Sequence, residues 1–241
     1  MSDMGSLQEL RQSRINSEQP LVAFDFDGTL ADSFPWFTSV INDVADRYRF
    51  RRIAAHETHA LRGMDARGIV RHLGIPAWKL PFITRHMHRL ATRDIAAIPP
   101  FPGIPAMLAD LDAAGLRLAI LSSNRESNIR RALGPVSAGR FHTYACGASL
   151  FGKGKRLRAL IRGAGLAASE VLYVGDEIRD HAAATEAGCD FAAVAWGYTR
   201  ADALAAGRPA WLFRAPEEIA QTLAPRGDGA TAGKEPRVDT P

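Results

Sequence analysis

Several features are scarce in this 241-residue chain, and each scarcity excludes something. There are 2 cysteines, Cys146 and Cys189, in neither a C-x-x-C pair nor a disulfide framework, so a reducing compartment is expected and the cytoplasm is the expected location. No apolar run is long enough for a membrane span, and residues 1–19 are polar without the apolar centre of a signal peptide, so no membrane partner is expected. Basic residues form no block. The net charge of +4 and the pI near 9.4 are therefore read as solvation plus attraction for anionic substrates, with no nucleic-acid partner. Lysine occurs only at positions 79, 153, 155 and 234, which limits where a lysine-dependent site can lie. No repeat of fixed period is found. What is present is 46% hydrophobic residues, enough for a sizeable core. Residues 1–19 and 225–241, polar and poor in apolar side chains, are expected to be a disordered arm and tail.

The stretch Leu21 to Leu30, L-V-A-F-D-F-D-G-T-L, organises the rest. An apolar run breaks abruptly into Asp25, Asp27, Gly28 and Thr29, the pattern of a buried parallel strand running out into a turn. The carboxyl end of such a strand is where ligands bind in an open α/β sheet. Two carboxylates converging in a turn can divide the work, one attacking and the other handling protons, and closely set anionic oxygens favour a hard cation. An acidic pair at a strand end is also a common solvated turn or helix cap. A calcium loop is excluded, because its sixth position needs Gly and its twelfth Glu where this chain has Leu30 and Trp36.

Ser33 and Pro35 then start a helix over Trp36 to Phe50, on which Trp36 and Phe37 read as packing residues. Helical segments are predicted over His56–Leu61, Ala66–Leu73 and Ala77–Ala96, separated by Arg62-Gly63 and Gly74-Ile75-Pro76. No strand is predicted in this block, so residues 33–100 read as an inserted α-helical cap, returning through the stiff Pro99-Pro100-Phe101-Pro102-Gly103. The core is then residues 20–32 and 101–224. A helix over Ile104–Ala114 precedes the strand L-R-L-A-I-L, which ends in Ser122, Ser123 and Asn124. Further helices are predicted at Arg125–Leu133 and Lys155–Gly163, with a short strand at Phe141–Cys146. Val171 to Asp180, V-L-Y-V-G-D-E-I-R-D, repeats the opening design, and Phe191–Trp196 gives another strand. Strands alternating with helices of this length predict an α/β fold with a doubly wound parallel sheet.

D-F-D-G-T-L-A-D-S, A-I-L-S-S-N, a lysine at 153 or 155, and G-D-E-I-R-D stand in the order of the four motifs of the haloacid dehalogenase superfamily, which this chain resembles over most of residues 21 to 200. The resemblance implies a Rossmann-like core with a helical cap and phosphoryl transfer through an aspartyl-phosphate. In those terms Asp25 is the nucleophile, and Asp27 protonates the leaving group and then activates water. Mg²⁺ is held by Asp25, the Asp27 backbone carbonyl and Asp176, with Asp180 reaching it through water or else serving as a helix-start acid. Ser122 contacts a phosphate oxygen, with Gly28, Ser123 and Asn124 beside it. Lys153 is favoured over Lys155 as the anchoring cation, since L-F-G-K places it directly before a helix.

Gly147–Lys153, G-A-S-L-F-G-K, imitates a nucleotide-binding P-loop, but Gly154 stands where that loop needs Ser or Thr. His56, His59, His72, His86 and His88 lie in the cap without cysteine partners and read as surface residues rather than zinc ligands. The expected activity is hydrolysis of a small phosphorylated metabolite. W-G-Y at 196–198 and A-P-E-E-I near the end look like phosphoglycolate phosphatase and its relatives. A phosphomutase of the same superfamily, or a non-catalytic phosphate-binding protein on its scaffold, are the alternatives. Arg62, beside the flexible Gly63, is expected to swing over the site and pair with an anionic leaving group, or else to cap the preceding helix. Oligomeric state is left open.

Overall fold

The computed structural model describes residues 20–147 and 152–224. Six parallel strands, β1 (Leu21–Phe24), β2 (Arg117–Leu121), β3 (Thr143–Ala145), β4 (Val171–Gly175), β5 (Asp190–Val194) and β6 (Trp211–Phe213), form one sheet in the order β3-β2-β1-β4-β5-β6. Strand order reverses between β1 and β4, so the chain leaves a crevice at their carboxyl ends. Both acid-bearing segments emerge there.

Alternation along the central strands divides the core into two layers. Val22, Phe24, Leu118, Ile120, Leu172 and Val174 face one side, covered by α5 (Ile104–Ala113), α6 (Glu126–Gly139) and α10 (Pro216–Leu223). Leu21, Ala23, Ala119, Leu121, Val171 and Tyr173 face the other, covered by α7 (Lys153–Gly163), α8 (Ile178–Ala187) and α9 (Ala201–Ala206). Central strands buried on both faces explain why they read as continuous apolar runs.

Between β1 and β2 the chain forms α1 (Phe34–Tyr48), α2 (Thr58–Leu61), α3 (Ala66–His72) and α4 (Leu80–Arg93), joined by short 3₁₀ turns. Its two connections to the core run side by side: Ala31 bridges Pro100, Asp32 N–H donates to the Pro99 carbonyl at 2.9 Å, and Phe101 N–H to Leu30 at 3.0 Å. The proline-rich return is thus one half of a paired two-stranded connection.

The structure corrects several expected boundaries. The helix expected over Arg125–Leu133 does stop there: Gly134 leaves the helical region at φ 73°, ψ 164°, and Pro135 opens a separate short turn that runs to Gly139 across the kink. The helix expected from Lys155 begins at Lys153, and the one expected over Ala77–Ala96 is an α-helix only from Leu80 to Arg93, flanked by 3₁₀ turns. Strand β6 was not predicted; three residues are too few for periodicity to register. The expected arm and tail lie outside the described residues.

Ile120 is fully buried in the middle of β2. Ile120→Ala should lower stability by about 2–5 kcal/mol, read as a lower urea midpoint with an unchanged slope. A loss below about 1 kcal/mol would show that this layer is loosely packed.

Candidate active site

Asp25 follows β1, its N–H paired with the Val174 carbonyl at 2.9 Å and its carboxylate 2% exposed. One oxygen accepts from Phe26 N–H at 2.7 Å, and the other from Lys153 Nζ at 2.5 Å. The same ammonium donates to Asp180 Oδ1 at 2.6 Å. Lys153 opens α7 and is buried, whereas Lys155 is exposed, so of the two candidates it is Lys153 that reaches the carboxylates. Asp180 also accepts from Tyr173 OH at 3.2 Å and, through Oδ2, from Glu177 N–H at 3.0 Å, so it caps α8 while touching the lysine. These contacts are those of the helix-start reading of Asp180, with the lysine added. Arg179 pairs with Glu177 rather than Asp180.

Asp176, fully buried, follows β4 and accepts from Thr29 Oγ1 and from Tyr198 N–H, each at 2.7 Å. Asp25, Asp176 and Asp180 each place an oxygen within 4.8 Å of the others. This is the group of metal-capable side chains among the described residues, and none of the cap histidines belongs to it. Asp27 stands apart from it by its carboxylate, which accepts from Asn124 Nδ2 at 3.2 Å. Asn124 is held by its own Oδ1, which accepts from Arg125 N–H and Asn128 Nδ2. Ser122 is buried at the end of β2 and accepts from Asn124 N–H at 3.1 Å; Ser123 is half-buried beside it.

Close approach of backbone to the acids needs glycine. Gly28 has φ 78°, and a Cβ there would overlap the Asp176 carboxylate; one on Gly197 would overlap Asp176 and the Gly28 carbonyl. Arg62 donates from Nε to the Tyr198 carbonyl at 2.9 Å and from Nη2 to Gly197 at 2.7 Å, with its guanidinium 4.9 Å from the Phe34 ring centre. Its side chain ties this segment to the loop after β5, while its backbone forms the C-cap of α2, the N–H donating to the Thr58 carbonyl at 3.1 Å. Thr29, Tyr198 and Arg179 were not singled out as site residues, although each stands inside a motif that was. Of the P-loop-like string, residues 148–151 lie outside the described residues, and Lys153 is spent on Asp25 and Asp180.

The electrostatics are strained in one direction. Burial pushes Asp25 from 3.8 up to about 7, with Asp180 adding to the rise and Lys153 opposing it. Asp176 is raised well above the carboxylate range by burial, then by Glu177, Asp180 and Asp25. Burial also raises Asp27, against hydrogen bonds from Asn124 and Ser33. Burial disfavours the Lys153 ammonium, but Asp180 and Asp25 outweigh it and hold its pKa above the ordinary value. Among the described residues, the cations that act on Asp25 and Asp27 in this cluster of Asp25, Asp27, Asp176, Glu177 and Asp180 are Lys153 and Arg179. An all-oxygen donor set with excess negative charge fits a hard divalent cation.

Comparison with known proteins agrees with this geometry. Residues 22–194 match the haloacid dehalogenase-like hydrolase family. A phosphoglycolate phosphatase of Synechococcus elongatus is 33% identical over 203 residues, covering 84% of this chain and 96% of that one. The tyrosine-protein kinase PtkA of Mycobacterium tuberculosis is 30% identical over 201 residues, covering 80% of this chain and 68% of that protein. A crystal structure of a putative phosphoglycolate phosphatase from Lactobacillus plantarum superposes with a TM-score of 0.73 at 23% identity, covering 86% of this chain and 100% of the other.

The raised carboxyl groups make stability depend on pH. With Asp25 holding its proton up to about 7, the folded state binds more protons than the unfolded chain above 3.8, so the contribution of Asp25 to stability falls as pH rises between those values. In a chelator, the melting temperature should decline from about pH 4 to about pH 7, and Asp25→Asn should flatten the decline. A melting temperature that rises over this window in the parent protein would contradict the reading.

Proposed function

The chain belongs to the haloacid dehalogenase-like hydrolase family, and from that premise we propose that it is a Mg²⁺-dependent phosphatase acting on a small, carboxylated phosphomonoester of the phosphoglycolate class. The observation that carries the proposal is the convergence of Asp25, Lys153, Asp180 and Asp176 in one buried cluster at the sheet's switch point. Residues 33–100 act as the cap over it.

Asp25 attacks phosphorus, the bond to the leaving oxygen breaks, and a phosphoryl group is left on the Asp25 carboxylate. Lys153 keeps that carboxylate in place and offsets charge as it develops on the phosphoryl oxygens. Asp27 gives a proton to the departing alkoxide and then takes one from the water that cleaves the acyl phosphate. The Ser122 hydroxyl, with N–H groups around Gly28 and Ser123, donates to the equatorial oxygens, and Asn124 orients Asp27. Asp25, the Asp27 carbonyl, Asp176 and Asp180 would hold Mg²⁺, which when bound neutralises the acids and polarises a phosphoryl oxygen. Arg62, tethered at the Gly197–Tyr198 loop, supplies a cap cation for a carboxylate on the leaving group.

A second reading concerns the acceptor. The mycobacterial relative is named as a kinase, and a phosphomutase would also pass the phosphoryl group to something other than water. Intact Asp25 and Asp27 argue against a binding protein without chemistry, since binding needs no nucleophile.

Assay of phosphate release from a panel of phosphomonoesters, with and without Mg²⁺, is the test. Release should require Mg²⁺ and favour phosphoglycolate over neutral alkyl esters. Asp25→Asn should lose at least about a thousandfold in kcat while keeping the fold. Activity that survives that substitution would overturn the mechanism, and stoichiometric transfer to an added acceptor without free phosphate would favour the second reading.

A further inference from the structure

The hydrogen bond from Asn124 to Asp27 is the last link of a chain that begins in the cap. On α4, Thr92 Oγ1 donates to the His88 carbonyl at 2.8 Å, which turns its lone pairs outward. Asn128, in the first turn of α6, donates from Nδ2 to Thr92 Oγ1 at 3.0 Å and to Asn124 Oδ1 at 2.9 Å. Asn124 then donates to Asp27. Every donor in this series has one direction. Exchanging oxygen and nitrogen on Asn128 would set two acceptors, its Oδ1 and that of Asn124, against each other.

Asn128 is fully buried, and its Oδ1 has no hydrogen-bond partner. Buried acceptors are nearly always satisfied, and an amide kept only for packing would be better replaced by an apolar side chain. What the amide does here is use both N–H groups at once, one on the cap and one on the residue that holds Asp27. The cap side of the link is anchored: α6 packs against the 3₁₀ turn Ile95–Ala97 that follows α4.

We propose that Thr92 and Asn128 are positioning residues for Asp27, so that seating of the cap's α4 on α6 fixes Asn124 and thereby the carboxylate that protonates the leaving group. The inference rests on the phosphatase reading of Asp27 given above. When α4 lifts, Asn128 loses its acceptor, Asn124 its orienting donor, and Asp27 the bond that aims it. The proton is then delivered efficiently only beneath a docked cap.

The test compares two substrates: 4-nitrophenyl phosphate, whose leaving group departs without a proton, and an alkyl phosphomonoester, whose leaving group needs one. Thr92→Val keeps the volume and removes the acceptor; Asn128→Ala removes both donors; Thr92→Ser keeps the hydroxyl. Thr92→Val and Asn128→Ala should each lower the single-turnover rate of leaving-group release from the alkyl ester, the step in which Asp27 acts as acid and not yet as base, by about five- to tenfold, the equivalent of one oriented hydrogen bond. On the nitrophenyl ester the loss should stay under about twofold with KM little changed, and Thr92→Ser should restore the parent ratio. Should Asn128→Ala fail to fold, the Thr92 pair carries the comparison alone. Equal losses on both esters, a change confined to KM, no loss at all, or a Thr92→Ser protein that behaves like Thr92→Val would each overturn the relay. A parent protein that hydrolyses neither ester would overturn the phosphatase reading and the relay together, whereas a parent active on both with unselective variants overturns the relay alone.

Discussion

A single buried ammonium sits between two buried carboxylates, and the architecture of the active end follows from it. Lys153 Nζ lies 2.5 Å from Asp25 and 2.6 Å from Asp180, with side-chain exposures of 4%, 2% and 0%. Charges this deep are tolerated only when closely paired, because desolvation otherwise costs several kcal/mol per ion, on the order of half a domain's net stability. The pairing draws the residue after β1, the first residue of α7 and the first turn of α8 to one point. Those elements are far apart in sequence, and the parallel sheet with its reversal between β1 and β4 is what brings them together. One lysine cannot balance all the acids it meets, however. Burial, and after it the neighbouring carboxylates, keep Asp25 and Asp176 proton-hungry, and the surplus of negative charge makes a cationic ligand a stabilising partner.

From this cluster, contacts run to the cap along two routes. Asp176 holds the backbone of Tyr198, whose carbonyl and that of Gly197 hold Arg62. Tyr198 also lies edge-on to Phe34 and Phe37 of α1, and its hydroxyl meets Ser33 beside the paired connection. On the opposite side, Asp27 is tied through Asn124 and Asn128 to Thr92. The cap is therefore attached to the acids themselves as well as to the paired connection, and its position and the orientation of the carboxylates are linked.

Much of this arrangement was legible in the sequence for identifiable reasons. Asp25 and Asp176 terminate uninterrupted apolar strands, so both residue type and position announced them, and the two-sided burial of those strands is what produced the runs. The rarity of lysine left only Lys153 and Lys155 to consider, and burial separates them. Other features could not be read. β6 is too short to carry a period, and so is the turn from Pro135 to Gly139 that follows the break at Gly134. Arg62 was recognisable as a cap residue of interest, but its docking on carbonyls more than a hundred residues away is a tertiary fact with no local signature. Thr29, Asn128 and Thr92 act through side chains that periodicity treats as ordinary polar positions. Their roles arise only where three segments meet.

The central claim is that Asp25 becomes covalently phosphorylated, and it is tested most directly by trapping. Asp27→Asn protein mixed with 4-nitrophenyl phosphate and Mg²⁺, quenched in acid and digested, should yield the peptide containing Asp25 heavier by one phosphoryl group, because the first step needs no proton and the second lacks its base. The adduct should disappear on treatment with hydroxylamine, leaving a hydroxamate at Asp25. A phosphoryl group found on Ser122 or another side chain, or nitrophenol released over many turnovers with no adduct at any time after mixing, would contradict the account.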